Sequence, residues 1–306
     1  MFRKFSMLGV LLGAALLNAG NVLASDESRQ ELEAVVEEGG AAQFIAQAYA
    51  HAKATVKDTT LEAISKDLRP HDHRFFPDGG GAVPTVLFFH GCSGPTESHE
   101  QDWADRLNKA GVGMIAVDSY KGRGIDWQKA CNFQAMTPWQ RSADIFATVE
   151  DVKKDPRVDA DQLYLAGFSH GAVSIWAALG QASGKSAPIS LTEWPSVDFD
   201  QHVQGAFMFY GTCMQPWTVD VDAVMFLGTE DRYIDEQVCQ AYESNHPKDA
   251  GALDLEIYDG ATHTFDHAEP NQANIDAGSV YDAAATEDAW QTMLEMIQAG
   301  RKKDGK

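Results

Sequence analysis

Positive charge is scarce in this sequence. Its 306 residues hold 24 lysines and arginines against 45 aspartates and glutamates, a formal net charge of -21. A field of that sign repels nucleic acid and anionic lipid, so neither is expected as a partner. The one basic cluster, Arg301, Lys302 and Lys303, reads as a solvated helix end. Cysteine is rare too: the chain has 4, and none forms a C-x-x-C pair, which leaves a zinc site without support. No G-x-G-x-x-G follows a strand and no complete G-x-x-x-x-G-K-S/T loop occurs, so no nucleotide cofactor is expected. Beyond the first 24 residues no run is apolar enough to span a bilayer, so no stable membrane anchor is expected.

What is present suffices for one large core, with 44% of residues hydrophobic. Arg3 and Lys4, the apolar run Met7 to Leu17 and the small-residue site Val22-Leu23-Ala24 read as an export signal cleaved before Ser25. The expected organisation is a signal peptide over 1–24, a helical extension over 25–80 and a catalytic domain over 81–306. Within the extension, residues 31–36 and 44–49 read as helical. An exported chain with an even number of cysteines is expected to form disulfides, and to reside in the periplasm or outside the cell.

From Val83 onward, short apolar runs alternate with helical stretches. Residues 85–89, 113–117, 163–166, 206–210, 223–227 and 253–258 read as strands. Residues 103–110, 141–153, 172–179 and 289–297 read as helices. This alternation implies a mostly parallel sheet with helices on both faces, and an active site at the C-terminal edge of the strands.

One segment carries most of the chemistry: Gly167-Phe168-Ser169-His170-Gly171 fits G-x-S-x-G between a strand and a helix. Glycines on either side let the chain turn tightly enough to project Ser169 as a nucleophile. A serine nucleophile needs a base, and the base needs an orienting acid. Asp231 follows the strand 223–227, with Glu230 and Asp235 as rivals; Asp235 is also placed to cap the next helix. His263 follows the last strand, with His246 and His267 as rivals. The order Ser169, Asp231, His263 is the order of the α/β-hydrolase fold. The oxyanion donors expected are the backbone N–H groups of His170, at the helix start, and Cys92, in the loop His90-Gly91-Cys92-Ser93-Gly94. The Cys92 thiol is a weaker candidate nucleophile, lacking a strand–helix turn. His71-Asp72-His73 could hold a metal but lies in a polar loop, so no metal is assigned. Trp127, Trp194 and Trp217 are candidates to line a pocket or pack in the core.

The ordered set His90-Gly91-Cys92-Ser93-Gly94, Asp118-Ser119-Tyr120 with Arg123-Gly124, the Ser169 elbow, Gly228-Thr229-Glu230-Asp231 and Thr262-His263-Thr264-Phe265 resembles the dienelactone hydrolase family. The resemblance spans Val83 to Gln298. It implies an eight-stranded, mostly parallel α/β-hydrolase sheet and cofactor-free hydrolysis of a small ester or lactone. Dienelactone hydrolases carry cysteine where this chain has Ser169, so the resemblance speaks for the reaction more than for the substrate. In such a sheet the strands leading to Cys92 and Cys131 are neighbours, as are those leading to Cys213 and Cys239. The pairs Cys92–Cys131 and Cys213–Cys239 are therefore expected. A peptidase of the same fold and a binding protein on a hydrolase scaffold are the alternative readings; the complete Ser, Asp, His order favours the hydrolase.

Overall fold

The computed structural model describes residues 59–184, 191–192, 195–214 and 216–303. The expected leader, the helical stretches at 31–36 and 44–49, and Trp194 lie outside these residues. The described chain begins with α1 (Leu61–Leu68) and a 3-10 turn (Arg69–His71), then β1 (His73–Phe75), β2 (Val83–Phe89), α2 (Glu97–Lys109) and β3 (Gly113–Val117). Next come α3 (Trp127–Cys131), α4 (Pro138–Val152), β4 (Val158–Phe168), α5 (His170–Ala182) and α6 (Phe199–His202). It closes with β5 (Val203–Phe209), β6 (Ala223–Gly228), α7 (Glu236–Ser244), β7 (Leu253–Tyr258), α8 (Gln272–Asp276) and α9 (Ala283–Lys303).

The strands form one sheet of 7 in the order β1-β3-β2-β4-β5-β6-β7. Only β1 runs antiparallel to its neighbour; the other strands pair in parallel. Side chains alternate between two buried layers. Leu87, Phe89, Ile115 and Leu165 face a layer built by α1, α4 and α5. Val86, Phe88, Met114 and Ala166 face Trp103 and Leu107 of α2 and Trp290 and Met293 of α9. Burial on both faces explains why these strands are apolar without interruption.

Seven strands stand among the described residues where the resemblance implied eight. The chain enters β1 from α1 and a 3-10 turn rather than from another strand. Ile64 and Leu68 of α1 are buried in the helical layer, and Arg69 bonds Asp151 on α4 at 2.9 Å. Residues 61–75 of the expected extension thus pack on the sheet or join it. Helix starts differ from the sequence reading where the first turn is polar. The polar turn Glu97-Ser98-His99-Glu100 begins α2, and α4 starts at Pro138 behind a Thr137–Gln140 capping box.

Register fixes where the loops emerge. Phe89 of β2 lies opposite Val117 of β3 and Gly167 of β4, and Phe168 lies opposite Phe209 of β5. The loops after β2, β4, β6 and β7 therefore leave one edge together. Cys92 is bonded to Cys131, closing 39 residues, and Cys213 to Cys239, closing 26. Each bridge links segments that follow adjacent strands, whereas a Cys92–Cys213 link would have to cross β4. Each loop closure contributes about 2–4 kcal/mol. Peptide mapping of protein from an oxidising compartment is expected to recover these two pairs, and reduction to lower the melting temperature. Four free thiols, or a Cys92–Cys213 pair, would contradict the arrangement.

Candidate active site

A single residue makes the reversal from β4 to α5. Ser169 has φ 51° and ψ -113°, a region that residues with a side chain rarely occupy, at a cost of roughly 1–3 kcal/mol. The flanking glycines are forced by contact. A Cβ on Gly167 would lie 2.6 Å from the backbone carbon of Gly171, and one on Gly171 would collide with the Phe89 carbonyl oxygen. The turn is held from both sides: Ser169 N–H donates to the Phe209 carbonyl at 2.9 Å, and Val173 N–H to the Ser169 carbonyl at 3.0 Å.

Two further loops converge on Ser169. The ends of β6 and β7 crowd together, and a Cβ on Gly228 would collide with the Ala261 carbonyl. This brings Asp231 to His263, with Oδ2 2.7 Å from Nδ1. His263 Nε2 lies 2.9 Å from Ser169 Oγ. Asp231 Oδ1 accepts N–H bonds from Tyr233 at 2.8 Å and Ile234 at 3.2 Å. The carboxylate can only accept, so Nδ1 carries the proton and Nε2 presents a lone pair to the serine. The imidazole sits against Tyr210 and Tyr233, at 4.8 and 5.0 Å between ring centres.

The rival residues are engaged elsewhere. Asp235 caps α7 by accepting from Gln237 N–H at 3.0 Å, and Glu230 is exposed. His246 Nε2 bonds the Gly251 carbonyl at 2.9 Å. The Cys92 sulfur is in a disulfide. His71, Asp72 and His73 do not converge: Asp72 pairs with Arg74 and His73 with Glu100. Trp127 lines the pocket, whereas Trp217 is buried in the core against Trp176 at 4.9 Å.

The loop after β2 passes beside the serine: a Cβ on Gly91 would lie 3.7 Å from Ser169 Cβ. Gly91, Cys92, Ser169, His170 and His263 line one cavity of about 320 Å³. Its other walls include Trp127, Phe133, Trp139, Val173, Tyr233 and Ile234.

A second polar cluster, whose His99, His267 and Tyr210 also line the cavity, was not legible in the sequence. Asp266 accepts from Tyr210 Oη at 2.7 Å, His99 Nε2 at 2.7 Å and Trp103 Nε1 at 2.9 Å. Burial alone would push this carboxyl up; His99 and the hydrogen bonds hold it well below the usual range. The His99 and His267 rings stack at 3.6 Å and 22°. Near-parallel rings do not aim their in-plane lone pairs at one point, and the carboxylate already accepts three hydrogen bonds. The cluster therefore acts as a hydrogen-bonded brace rather than a cation site. Its one sequence signal is a lone acid, Asp266, set between Phe265 and His267.

The family model for the dienelactone hydrolase family matches residues 74–187 and 194–300. No curated protein matches the chain. Among solved structures, a dienelactone hydrolase-like promiscuous phosphotriesterase from metagenomic libraries superposes with a TM-score of 0.56 at 16% identity, over 74% of this chain and 91% of that one. Esterase 2 of Thermogutta terrifontis, phosphonylated by cyclosarin, gives 0.55 at 14%, over 74% and 88%. Est1E from Butyrivibrio proteoclasticus with ferulic acid gives 0.51 at 17%, over 74% and 95%. At these identities the likeness is one of fold.

Buried histidines set the acid limit of this site. Burial, then the Arg141 charge, pulls His90 well below its ordinary value and His170 to about 3. Burial, then His99, takes His267 to about 3. All three stay neutral in the native state while unfolded histidines protonate near 6.5. Their contribution to stability is present above about pH 6.5 and is lost as pH falls toward 3. Asp72, raised to about 6 by burial, and Glu100 and Glu256, also raised by burial, work in the opposite sense above about pH 4, each by less than the histidines are lowered. Asp266, held low, adds to the loss at acid pH. The melting temperature should fall between pH 7 and pH 4 in a buffer series. A flat or rising profile would contradict the buried, neutral assignment.

Proposed function

The chain belongs to the dienelactone hydrolase family and is a hydrolase acting on ester bonds; from that premise we propose a serine esterase that works through an acyl-enzyme on Ser169. The observation that carries this reading is the unbroken hydrogen-bond path from Asp231 through His263 to Ser169. Ser169 Oγ attacks the ester carbonyl carbon while His263 Nε2 takes its proton. Asp231 keeps the other ring nitrogen protonated and stabilises the imidazolium. The oxyanion forms beside the N-terminus of α5, where His170 N–H and Cys92 N–H receive it. His263 then passes its proton to the leaving alkoxide. Water then gives a proton to the same nitrogen as its oxygen attacks the acyl carbon; the bond from that carbon to Ser169 Oγ breaks, His263 returns the proton to Oγ, and the acid leaves.

The cavity supports a narrower statement about substrate. Among the described residues, no Asp, Glu, Lys or Arg side chain lines it. An engineered cavity of about 150 Å³ holds a benzene ring, so this larger one accepts a ring or short chain on each side of the ester. A net charge of -21 with no lysine or arginine in the lining disfavours an anionic group there. Neutral, apolar esters or lactones are therefore the proposed substrates. Export is proposed as well, with cleavage before Ser25. The two disulfides support it, because such bonds persist in oxidising compartments. No helix among the described residues is long and apolar enough to cross a membrane.

Ser169→Ala and His263→Ala should each lower ester hydrolysis by roughly 10³-fold or more, and Asp231→Asn should lower it as well. Steady-state rates on a chromogenic ester check this, and full activity in His263→Ala would refute the reading.

A matched pair of esters tests the charge argument. 4-Nitrophenyl butyrate should exceed 4-nitrophenyl hemisuccinate in kcat/KM by about 10²-fold, since an unpaired carboxylate costs several kcal/mol to bury. Equal turnover of the two would overturn the proposed preference.

A further inference from the structure

One buried cation remains outside this mechanism. Arg141, on α4, is fully buried, and no ion pair to it stands among the described residues. The nearby acid Asp144 is taken by Arg123, at 2.9 and 2.5 Å. A buried guanidinium without a carboxylate partner is costly, and a guanidinium cannot escape by losing its proton. Its donors instead reach three places. Nε donates to Ser119 Oγ at 2.9 Å. Nη1 donates to the His90 carbonyl at 2.7 Å and lies 3.3 Å from His170 Nδ1. The cation also lies 5.5 Å from the centre of the Tyr120 ring.

These contacts fall on the two segments that carry the proposed oxyanion donors. His90 precedes Gly91-Cys92. Its Nδ1 donates to the Gly91 carbonyl at 2.6 Å, and its Nε2 accepts from Ser119 N–H at 3.3 Å. In a planar trans peptide the C=O and N–H point in opposite directions. Pinning the Gly91 carbonyl to the His90 ring therefore turns the Cys92 N–H away from that ring. On the other segment, His170 Nε2 donates to the Met136 carbonyl at 3.2 Å. That leaves Nδ1 as the acceptor for Arg141 and fixes the residue whose own N–H follows Ser169. Ser119 closes the circuit, since its hydroxyl is held by Arg141 and its N–H by His90.

We propose that Arg141 is the positioning residue of the oxyanion hole, one buried cation that holds the Cys92 and His170 donor segments in mutual register. The inference rests on the serine-esterase reading above. Arg141 touches no reacting atom; it acts through the His90 backbone and the His170 ring, and its charge favours negative charge developing on the same side. The donors must be fixed before the reaction for their full effect, and a shift of 1 Å can cost about 10²-fold in rate.

Arg141→Lys and Arg141→Gln would be measured for kcat, KM, melting temperature and affinity for two inhibitors. One inhibitor is a boronic acid that becomes tetrahedral on Ser169; the other is the planar product acid. The proposal expects kcat to fall by roughly 10²-fold, with KM and product affinity within a few-fold. Boronate affinity should fall in step with kcat/KM. A folded variant with unchanged kcat overturns it. So does one in which product and boronate affinities fall equally, since that is loss of structure and not of register. If neither variant folds, Ser119→Ala carries the test. It removes one hydroxyl and keeps the charge, and a several-fold loss in kcat and boronate affinity is expected, whereas no change in either refutes the proposal. Hydrolysis that survives Ser169→Ala would mark the failure of the esterase reading itself.

Discussion

The reversal at Ser169 is the constraint from which the rest of this site follows. A strand of the buried sheet passes into a helix through one residue held at φ 51°. That geometry is tolerated only because the space around it is emptied. Gly167 and Gly171 each stand where a methyl group would strike backbone. Once the turn is made, the serine has no freedom to retreat, and α5 begins at the next residue, His170. The parallel register does the rest. Loops from four strands leave the same edge, so residues 94 positions apart, Ser169 and His263, meet at 2.9 Å.

Charge is managed around that turn by local satisfaction rather than by the strongly negative field of the whole chain. Two buried carboxylates flank the His263 loop and do different work. Asp231 spends one oxygen on backbone N–H groups and offers the other to His263. Asp266 spends both oxygens on Tyr210, His99 and Trp103, which fastens the loop to the sheet and backs Tyr210 against the imidazole. Arg141 is the counterpart on the opposite side. Its hydrogen bonds run to a carbonyl, a hydroxyl and a neutral ring rather than to an acid, so it holds its charge without an ion pair on the side where the proposed oxyanion would form. The Cys92–Cys131 bridge adds a covalent tie between the donor loop and α3, on which Trp127 forms part of the pocket wall.

Much of this was legible in the sequence because it depends on local pattern. The apolar runs give the strands, and the glycines at 167 and 171 mark the turn. Asp231 and His263 each follow an apolar run, in the chain order read from the sequence. The parts that were not legible depend on contacts distant in sequence. Nothing around Asp266 distinguishes it from a solvated loop acid until Tyr210 and His99 are brought to it. Arg141 reads as the polar start of a helix, since its partners lie at His90, Ser119 and His170. The short helices α3 and α8 are too brief for periodicity to register. Among the described residues the sheet has seven strands rather than eight, and the segment just before β1 is a helix that buries Ile64 and Leu68.

The claim on which all of this turns is that Ser169 is the activated nucleophile. Reaction with a fluorophosphonate, followed by mass spectrometry of the peptides, tests it most directly. The account predicts one phosphonyl adduct, on Ser169, forming as ester hydrolysis is lost and absent from His263→Ala on the same timescale. An adduct on another residue, or full inhibition without any adduct on Ser169, would contradict it.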